Sequence, residues 1–300
     1  MIKDVIIITG PTAVGKSEVG VEVARKVGGE IISADSMQIY KGMDIGSGKI
    51  TKEEMKGVTH YLLDIKSVNE TYSVAEFCED CKKKIKEIML KGKVPIIVGG
   101  TGLYIKALVS NYNYFGVQRD DKLREELEKY AEKHGLEELY NTLKKLSPSM
   151  AEKISPQDKK RIIRALEICK SKKREIKVNS EQFSYKIFAL NTDRETLYKR
   201  INERVNNMVE NGLVNEVKAL INGGLNRNCQ CAKAIGYAEI LDYLDGQISL
   251  SESIEKIKQH SRNYAKRQLT LLRGINPIWV EAFPRQNAIE KILKEVEYDN

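Results

Sequence analysis

Residues Gly10 to Ser17 read Gly-Pro-Thr-Ala-Val-Gly-Lys-Ser, with glycines at the first and sixth positions followed by a lysine and a hydroxyl. That spacing suits phosphate chemistry. Glycines let the chain turn tightly enough for successive N–H groups to point inward at an anion, and the positive end of a following helix adds to the field. Gly10, Pro11, Thr12, Ala13, Val14, Gly15, Lys16 and Ser17 are thus expected to cradle a diphosphate or triphosphate, Lys16 reaching a terminal phosphate and Ser17 ligating Mg²⁺. The cradle grips phosphate and is indifferent to what the phosphate is attached to.

A second chemical group follows in Ser33-Ala-Asp-Ser-Met-Gln-Ile-Tyr40. Asp35, just beyond a strand-like run and among polar and aromatic residues, is a candidate general base; its plainer role is a turn or helix-capping acid. A kinase needs a further acidic residue for Mg²⁺ after an apolar strand. Val94–Val98 leads instead into Gly99-Gly100-Thr101-Gly102, and Asp64 of His60-Tyr-Leu-Leu-Asp64 is only a weak substitute. Simple ATP hydrolysis fits poorly, but a small-molecule P-loop kinase and a non-catalytic RNA-binding ATPase both stay open on these residues.

The elements that must hold these groups alternate. Strand-like runs at Val5–Thr9, Glu30–Ser33, Val94–Val98 and Lys186–Leu190, and a fifth near Ile278–Val280, are separated by helical patterns. That alternation predicts an α/β fold, a P-loop NTPase-like parallel sheet flanked by helices, with ligands at the carboxyl ends of the strands. Strand signals vanish between about Gly116 and Val178, where Leu123, Leu127 and Tyr130, then Leu136, Leu139 and Leu143, recur at helical spacing. The expected organisation is a catalytic core of residues 1–115 and 185–300 with an all-helical insertion at 116–184. Helices are expected over Thr196–Asn211, Leu213–Ile221, Ala232–Leu244 and Leu250–Arg273.

The 300 residues suffice for a full core, and 41% hydrophobic with 31% charged residues fits a soluble protein. No run approaches the ~18 apolar residues of a membrane span, and the short apolar start runs straight into the glycine loop, so no signal peptide is read and a cytoplasmic location is expected. Five unevenly spread cysteines argue against a disulfide framework, and Cys78-Glu-Asp-Cys81 falls within a helical pattern, which argues against zinc. Net charge is +8, concentrated in one segment: Lys159, Lys160, Arg161, Arg164, Lys170, Lys172, Lys173, Arg174 and Lys177 stand against Glu167 and Glu175. Such a segment is either a solvated helix face or a contact for a polyanion such as nucleic acid.

Taken in order, "GPTAVGKS", "SADSMQIYKGMDIGSGK", "HYLLDI", "GGTGLYIKAL", "RIIRALE", "GLVNEV", "AKAIGY" and "RNYAKRQLT" resemble the tRNA dimethylallyltransferase family, also called tRNA isopentenyltransferases. The resemblance implies that the loop holds the diphosphate of dimethylallyl diphosphate and that the prenyl group passes to N6 of the adenine beside the anticodon of tRNA. It assigns Asp35 as the base for the adenine amine and Ser36, Met37 and Gln38 as readers of the extruded base. Thr101 becomes a tRNA contact and Arg204 the cation on the leaving diphosphate. Lys159, Lys160, Arg161, Ile162 and Ile163, with Arg124, become contacts to the anticodon arm. Lys160 stands where the family pattern has Gln, Lys233 replaces a Gln before "AIGY", and Leu271-Leu272 replace an aromatic pair; these departures touch the RNA contacts. A protein gripping one RNA arm is expected to act as a monomer, without a membrane.

Overall fold

Val5-Ile6-Ile7-Ile8 has no polar residue with which to face water, and a strand made of it must be covered on both sides. The computed structural model, which describes residues 4–110, 120–171 and 183–297, places it as β1 (Val5–Thr9), entirely buried. The other strands are β2 (Gly29–Ser33), β3 (His60–Tyr61), β4 (Val94–Val98), β5 (Tyr185–Asn191) and β6 (Ile278–Glu281). They form one sheet in the order β3-β2-β4-β1-β5-β6, with every pairing parallel. The expected α/β class and parallel sheet are therefore observed. The two-residue β3 is not legible as a strand in the sequence; it exists only because His60 and Tyr61 pair with Ile31 and Ile32 at the sheet's edge.

Register decides where the chemistry lies. Ile8 stands beside Val98, Ser33 beside Val98, and Thr9 beside Ala189. The carboxyl ends of β1, β2 and β4 are therefore level, and the loops leaving them emerge side by side. Thr9 fastens two of these ends, its Oγ1 donating to the Gly99 carbonyl at 2.9 Å.

The described residues divide into two compact units, one of residues 4–110 and 183–297 and the other of residues 120–171. In the first, α1 (Lys16–Val27) lays Val19, Val21, Val23 and Ala24 against β1, β2, β4 and β5. Further helices are α2 (Val74–Leu90) and α3 (Gly102–Val109). The second unit contains α4 (Asp121–His134), α5 (Leu136–Leu146), the single turn α6 (Pro148–Ala151) and α7 (Lys159–Lys170). Its own core is built on Leu127, Leu139, Leu143, Ile162, Ile163 and Leu166. Tyr130 was expected in that stripe, but Leu127 and Ala131 lead it, and Tyr130 sits on the outer face beside His134. Residues 111–119, which hold the first expected domain boundary, and residues 172–182 lie outside the described residues; the second expected boundary, between 184 and 185, falls at the start of β5.

The carboxyl-terminal part of the first unit carries α8 (Arg194–Glu210), α9 (Leu213–Asn222), α10 (Tyr237–Leu244), α11 (Leu250–Arg273) and α12 (Arg285–Glu297). The expected helix Ala232–Leu244 is shorter than its apolar pattern. A 3-10 turn at Cys231–Lys233 is followed by extended Ala234, and Gly236, at φ 96, takes a backbone conformation costly for any other residue, so the helix restarts at Tyr237. All five cysteines are free. Burial pushes the Cys78 thiol up to about 12, and Cys81 is raised too, as in structural cysteines of a helix core.

Candidate active site

The glycine loop joins β1 to α1. Gly15 sits at φ 95 as the residue before the helix, and no side chain caps it, so N–H groups of the first turn are left for an anion. Lys16 folds back over the loop, Nζ donating to the Pro11 carbonyl at 2.7 Å. Burial, then the nearby Arg204, push Lys16 down to about 7, and the charge of Asp35 pulls it partly back. Ser17 is exposed. The loop is braced from outside: Arg200 Nε donates to the Ala13 carbonyl at 2.9 Å and Arg285 to that of Gly15 at 3.4 Å. Ala13 is held at φ 62, a strained value for a residue with a side chain. Val14 is fully buried and has only its backbone to offer an anion.

The loop after β2 carries Asp35. Its Oδ1 accepts the N–H of Met37 at 2.9 Å and of Gln38 at 3.4 Å, so the carboxylate does serve as a turn acid. It is also close enough to Lys16 and Arg204 for its charge to favour the protonated form of each. The carboxylate, the lysine and the arginine thus feel one another's charge. Ser36 is held by its N–H donating to Thr101 Oγ1 at 3.0 Å, and Thr101 donates onward to Ser36 Oγ at 3.3 Å. Thr101 stands at the start of α3 without capping it by its side chain; its hydroxyl faces the Asp35 loop. Gln38 accepts from Ser33 Oγ at 3.1 Å and donates to the Gly48 carbonyl at 3.3 Å, which fixes its amide. Tyr40 and Tyr104 are core residues, the latter stacked on Phe77 at 4.2 Å.

Arg204, from α8, joins the two loops. Its Nη1 donates to Thr12 Oγ1 at 3.2 Å and its Nη2 to the Ser47 carbonyl at 3.0 Å. Burial lowers its proton affinity and Asp35 raises it. Neither Glu203 nor Glu210 pairs with it, and among the described residues no carboxylate lies within ion-pair distance. An arginine without a carboxylate, beside an uncapped helix end and a lysine, is what an anionic ligand would complete.

Two residues of the site carry no signal in the sequence. Glu216, in α9, accepts the N–H groups of Asp44 at 3.0 Å, Ile45 at 2.6 Å and Gly46 at 3.0 Å, and the hydroxyl of buried Tyr237 at 2.7 Å. It anchors the loop whose Ser47 and Gly48 carbonyls hold Arg204 and Gln38. Gln268, in α11, is 5% exposed and bonds to both the glycine loop and the turn after β4. Both lie within the motifs "GLVNEV" and "RNYAKRQLT", but nothing in a lone Glu or Gln on a helix marks its partners.

The helical unit places its candidate RNA contacts unevenly. Lys160 and Arg161 are exposed and Lys159 half-buried. Ile162 and Ile163 are buried in the core, so their side chains are no surface for RNA and only their backbone could meet it. Arg124 is engaged by Glu167, whose two oxygens take its Nε at 3.1 Å and Nη2 at 2.8 Å. Lys172, Lys173, Arg174, Glu175 and Lys177 lie outside the described residues.

The sequence profile of the IPP transferase family matches residues 38–274. The chain belongs to the IPP transferase family. It is 48% identical over 284 residues to the tRNA dimethylallyltransferase of Geobacillus kaustophilus, spanning 93% of this chain and 90% of that one. It also resembles the crystal structure of the full-length tRNA isopentenylpyrophosphate transferase of Bacillus halodurans, with TM-score 0.72 and 42% identity over 99% of this chain and 95% of the other. A crystal structure of a eukaryotic dimethylallyltransferase acting on tRNA aligns with TM-score 0.81 and 30% identity, over 96% of this chain and 77% of that one. Kinase and bare ATPase readings give way to this membership. Asp64, the weak acidic substitute a kinase would need, is tied at 2.6 Å to Lys49.

Proposed function

We propose that this IPP transferase moves the dimethylallyl group from dimethylallyl diphosphate to N6 of the adenine adjacent to the anticodon of tRNA, releasing diphosphate. The observation that carries the reading is the convergence of three parts: Arg204 bonds Thr12 of the glycine loop and the Ser47 carbonyl beyond β2, Lys16 folds over the cradle, and Asp35 is near enough for its charge to act on both cations. Departure of diphosphate leaves positive charge on an allylic carbon and gathers negative charge on oxygen. The N–H groups of the glycine loop, Lys16 and Arg204 stabilise that oxygen. An exocyclic amine is a poor nucleophile, and Asp35 improves it by accepting its N–H and then its proton. Ser36, Met37 and Gln38 read the extruded base, with Thr101 holding Ser36 in place.

No group of three His, Cys, Asp or Glu able to hold a metal is found among the described residues. That donor set suits Mg²⁺ arriving on its phosphates, which needs one or two protein oxygens and keeps several waters. The Ser17 hydroxyl would supply the protein oxygen, and the ion would neutralise charge on the leaving diphosphate. We assign the tRNA arm to the exposed Lys160 and Arg161 and the half-buried Lys159, which meet phosphates by charge. The enzyme is proposed to act in the cytoplasm, where its RNA substrate is, and as a monomer, since every group assigned to the transfer comes from one chain. Among the described residues no helix is long and apolar enough to cross a membrane.

The test is one incubation with labelled dimethylallyl diphosphate and unmodified tRNA, with and without ATP. The reading expects label in tRNA, release of diphosphate only when tRNA is present, and indifference to ATP. Phosphate transfer from ATP with no label in RNA would end it.

A further inference from the structure

Gln268 spans two loops that the transfer must hold at a fixed separation. Its Oε1 accepts the Thr12 N–H at 2.9 Å, and its Nε2 donates to the Gly100 carbonyl at 2.7 Å. Thr12 belongs to the anion cradle and offers its hydroxyl to Arg204. Gly100 precedes Thr101, which holds Ser36 and, through its own N–H to the Ala34 carbonyl at 3.1 Å, the start of the Asp35 loop. One end of the amide is therefore bonded to the half that takes the leaving group, the other to the half that takes the nucleophile. Neither loop sets the position of Gln268. It rides on α11, a 24-residue helix opened by a capping box of Ser249 and Glu252 and fastened nearby by buried Ala265 and Leu272. One turn later Leu271 packs under Gly102.

We infer that Gln268 is a positioning residue for prenyl transfer, a buried amide that fixes the distance between the diphosphate cradle and the amine-activating loop. The inference rests on the transfer reading above. The bond to Gly100 is buried and that to Thr12 partly so; loss of the amide leaves an N–H on one loop and a carbonyl on the other without partners, and each loop relaxes toward water or toward itself. Displacement of diphosphate by an amine needs the reacting atoms about 3–3.5 Å apart and aligned, and misplacement by about 1 Å costs on the order of 100-fold. Gln268 touches neither reactant, so binding of each alone should survive its removal. What is lost is the coincidence of the two. An allylic carbon out of reach of the amine is open to water: the C–O bond to diphosphate breaks, a C–O bond to water forms, and a proton leaves to solvent, giving dimethylallyl alcohol and diphosphate.

The test compares wild type with Q268M, which keeps length and volume, and Q268E, which keeps the acceptor for Thr12 but lacks a donor for Gly100 when ionised. Turnover, tRNA affinity, inhibition by pyrophosphate, and the ratio of labelled alcohol to labelled tRNA are measured on the full chain. For Q268M, turnover should fall on the order of 100-fold, with tRNA affinity and pyrophosphate inhibition within about threefold of wild type and the alcohol fraction raised. Q268E should show the same split, and it carries the test alone if Q268M does not fold. Unchanged turnover in a folded variant, or losses shared equally by turnover and both affinities with no rise in alcohol, would overturn the inference. Failure of wild type itself to label tRNA would instead overturn the transfer reading on which it rests.

Discussion

Replacing Asp35 with Asn separates its two roles. In the turn, Asp35 uses Oδ1 to accept the N–H groups of Met37 and Gln38, and an asparagine oxygen can accept both in the same geometry. The backbone that presents Ser36, Met37 and Gln38 should therefore be unchanged, and tRNA affinity with it. What disappears is the negative charge facing Lys16 and Arg204 and the ability to take a proton from the amine. General-base catalysis is worth about 10²–10⁴-fold, or roughly 3–5.5 kcal/mol of barrier at 1.36 kcal/mol per tenfold. Diphosphate no longer meets a like charge nearby, but Lys16 loses the charge that favours its protonated form, so diphosphate affinity should change little. Single-turnover transfer of label with enzyme in excess over tRNA reads the chemical step, and filter binding reads affinity. D35N that transfers within about threefold of wild type would remove Asp35 from the base role. A loss in tRNA affinity matching the loss in rate would return it to a turn acid and nothing more.

Other outcomes follow from the same geometry. Lys159→Ala with Arg161→Ala should weaken tRNA binding and flatten the plot of log affinity against log salt by about 1.5 units of slope, at roughly 0.7–0.9 for each phosphate that is no longer neutralised; an unchanged slope would make the segment a solvated face. Burial alone would push the Glu167 carboxyl up, but hydrogen bonds from Arg124, Arg164 and the Asp120 N–H hold it down to about 2. Its stabilisation is then complete above pH ~4.5 and lost as pH falls toward 2, on the order of 3 kcal/mol. Urea midpoints of wild type and E167Q should therefore differ near pH 7 and converge near pH 2, and a gap independent of pH would contradict this. Glu216→Ala strands three N–H groups and the Tyr237 hydroxyl and should cost about 2–3 kcal/mol in denaturant unfolding; an unmoved midpoint would show that the Asp44–Gly46 loop needs no anchor.

The chemistry that is legible in sequence is the chemistry that local spacing encodes. Gly10, Gly15, Lys16 and Ser17 act within one loop, and the apolar run before them must be a strand for that loop to work, so motif and fold are read together. Asp35 and Thr101 can be placed because both follow buried strands whose parallel pairing brings their carboxyl ends level. Arg204 is named only through resemblance; its spacing on α8 does not say that the guanidinium turns toward Thr12 and Ser47. Gln268 and Glu216 act across 256 and more than 170 residues of sequence respectively, and no periodicity records such a partner. Ile162 and Ile163 turn their side chains into the core for the opposite reason: the motif is a continuous stretch, whereas a helix sends neighbouring residues to different faces.

The same topology explains how a phosphate cradle can serve a reaction that consumes no ATP. In a phosphotransferase the residue after the strand beside the cradle supplies an acid for Mg²⁺. Here β4 ends in Gly99-Gly100, with no side chain to hold a metal, and Asp64 is held by Lys49, which also takes Asp44 and the Tyr40 carbonyl. An acid comes instead from the loop after β2, and its charge acts on Lys16 and Arg204. An acid in that place repels a phosphate oxygen but attracts the N–H of an incoming amine and steadies a developing carbocation. Moving the carboxylate from β4 to β2 thus changes what is activated, from the phosphorus to the carbon attached through oxygen. Restoring an acid by Gly100→Asp would not recreate a kinase, since a Cβ there would lie 2.5 Å from the Gln268 amide nitrogen. The substitution should abolish prenyl transfer and gain no phosphate transfer from ATP, and a G100D variant that transfers phosphate would show that the strand-end acid alone sets the reaction.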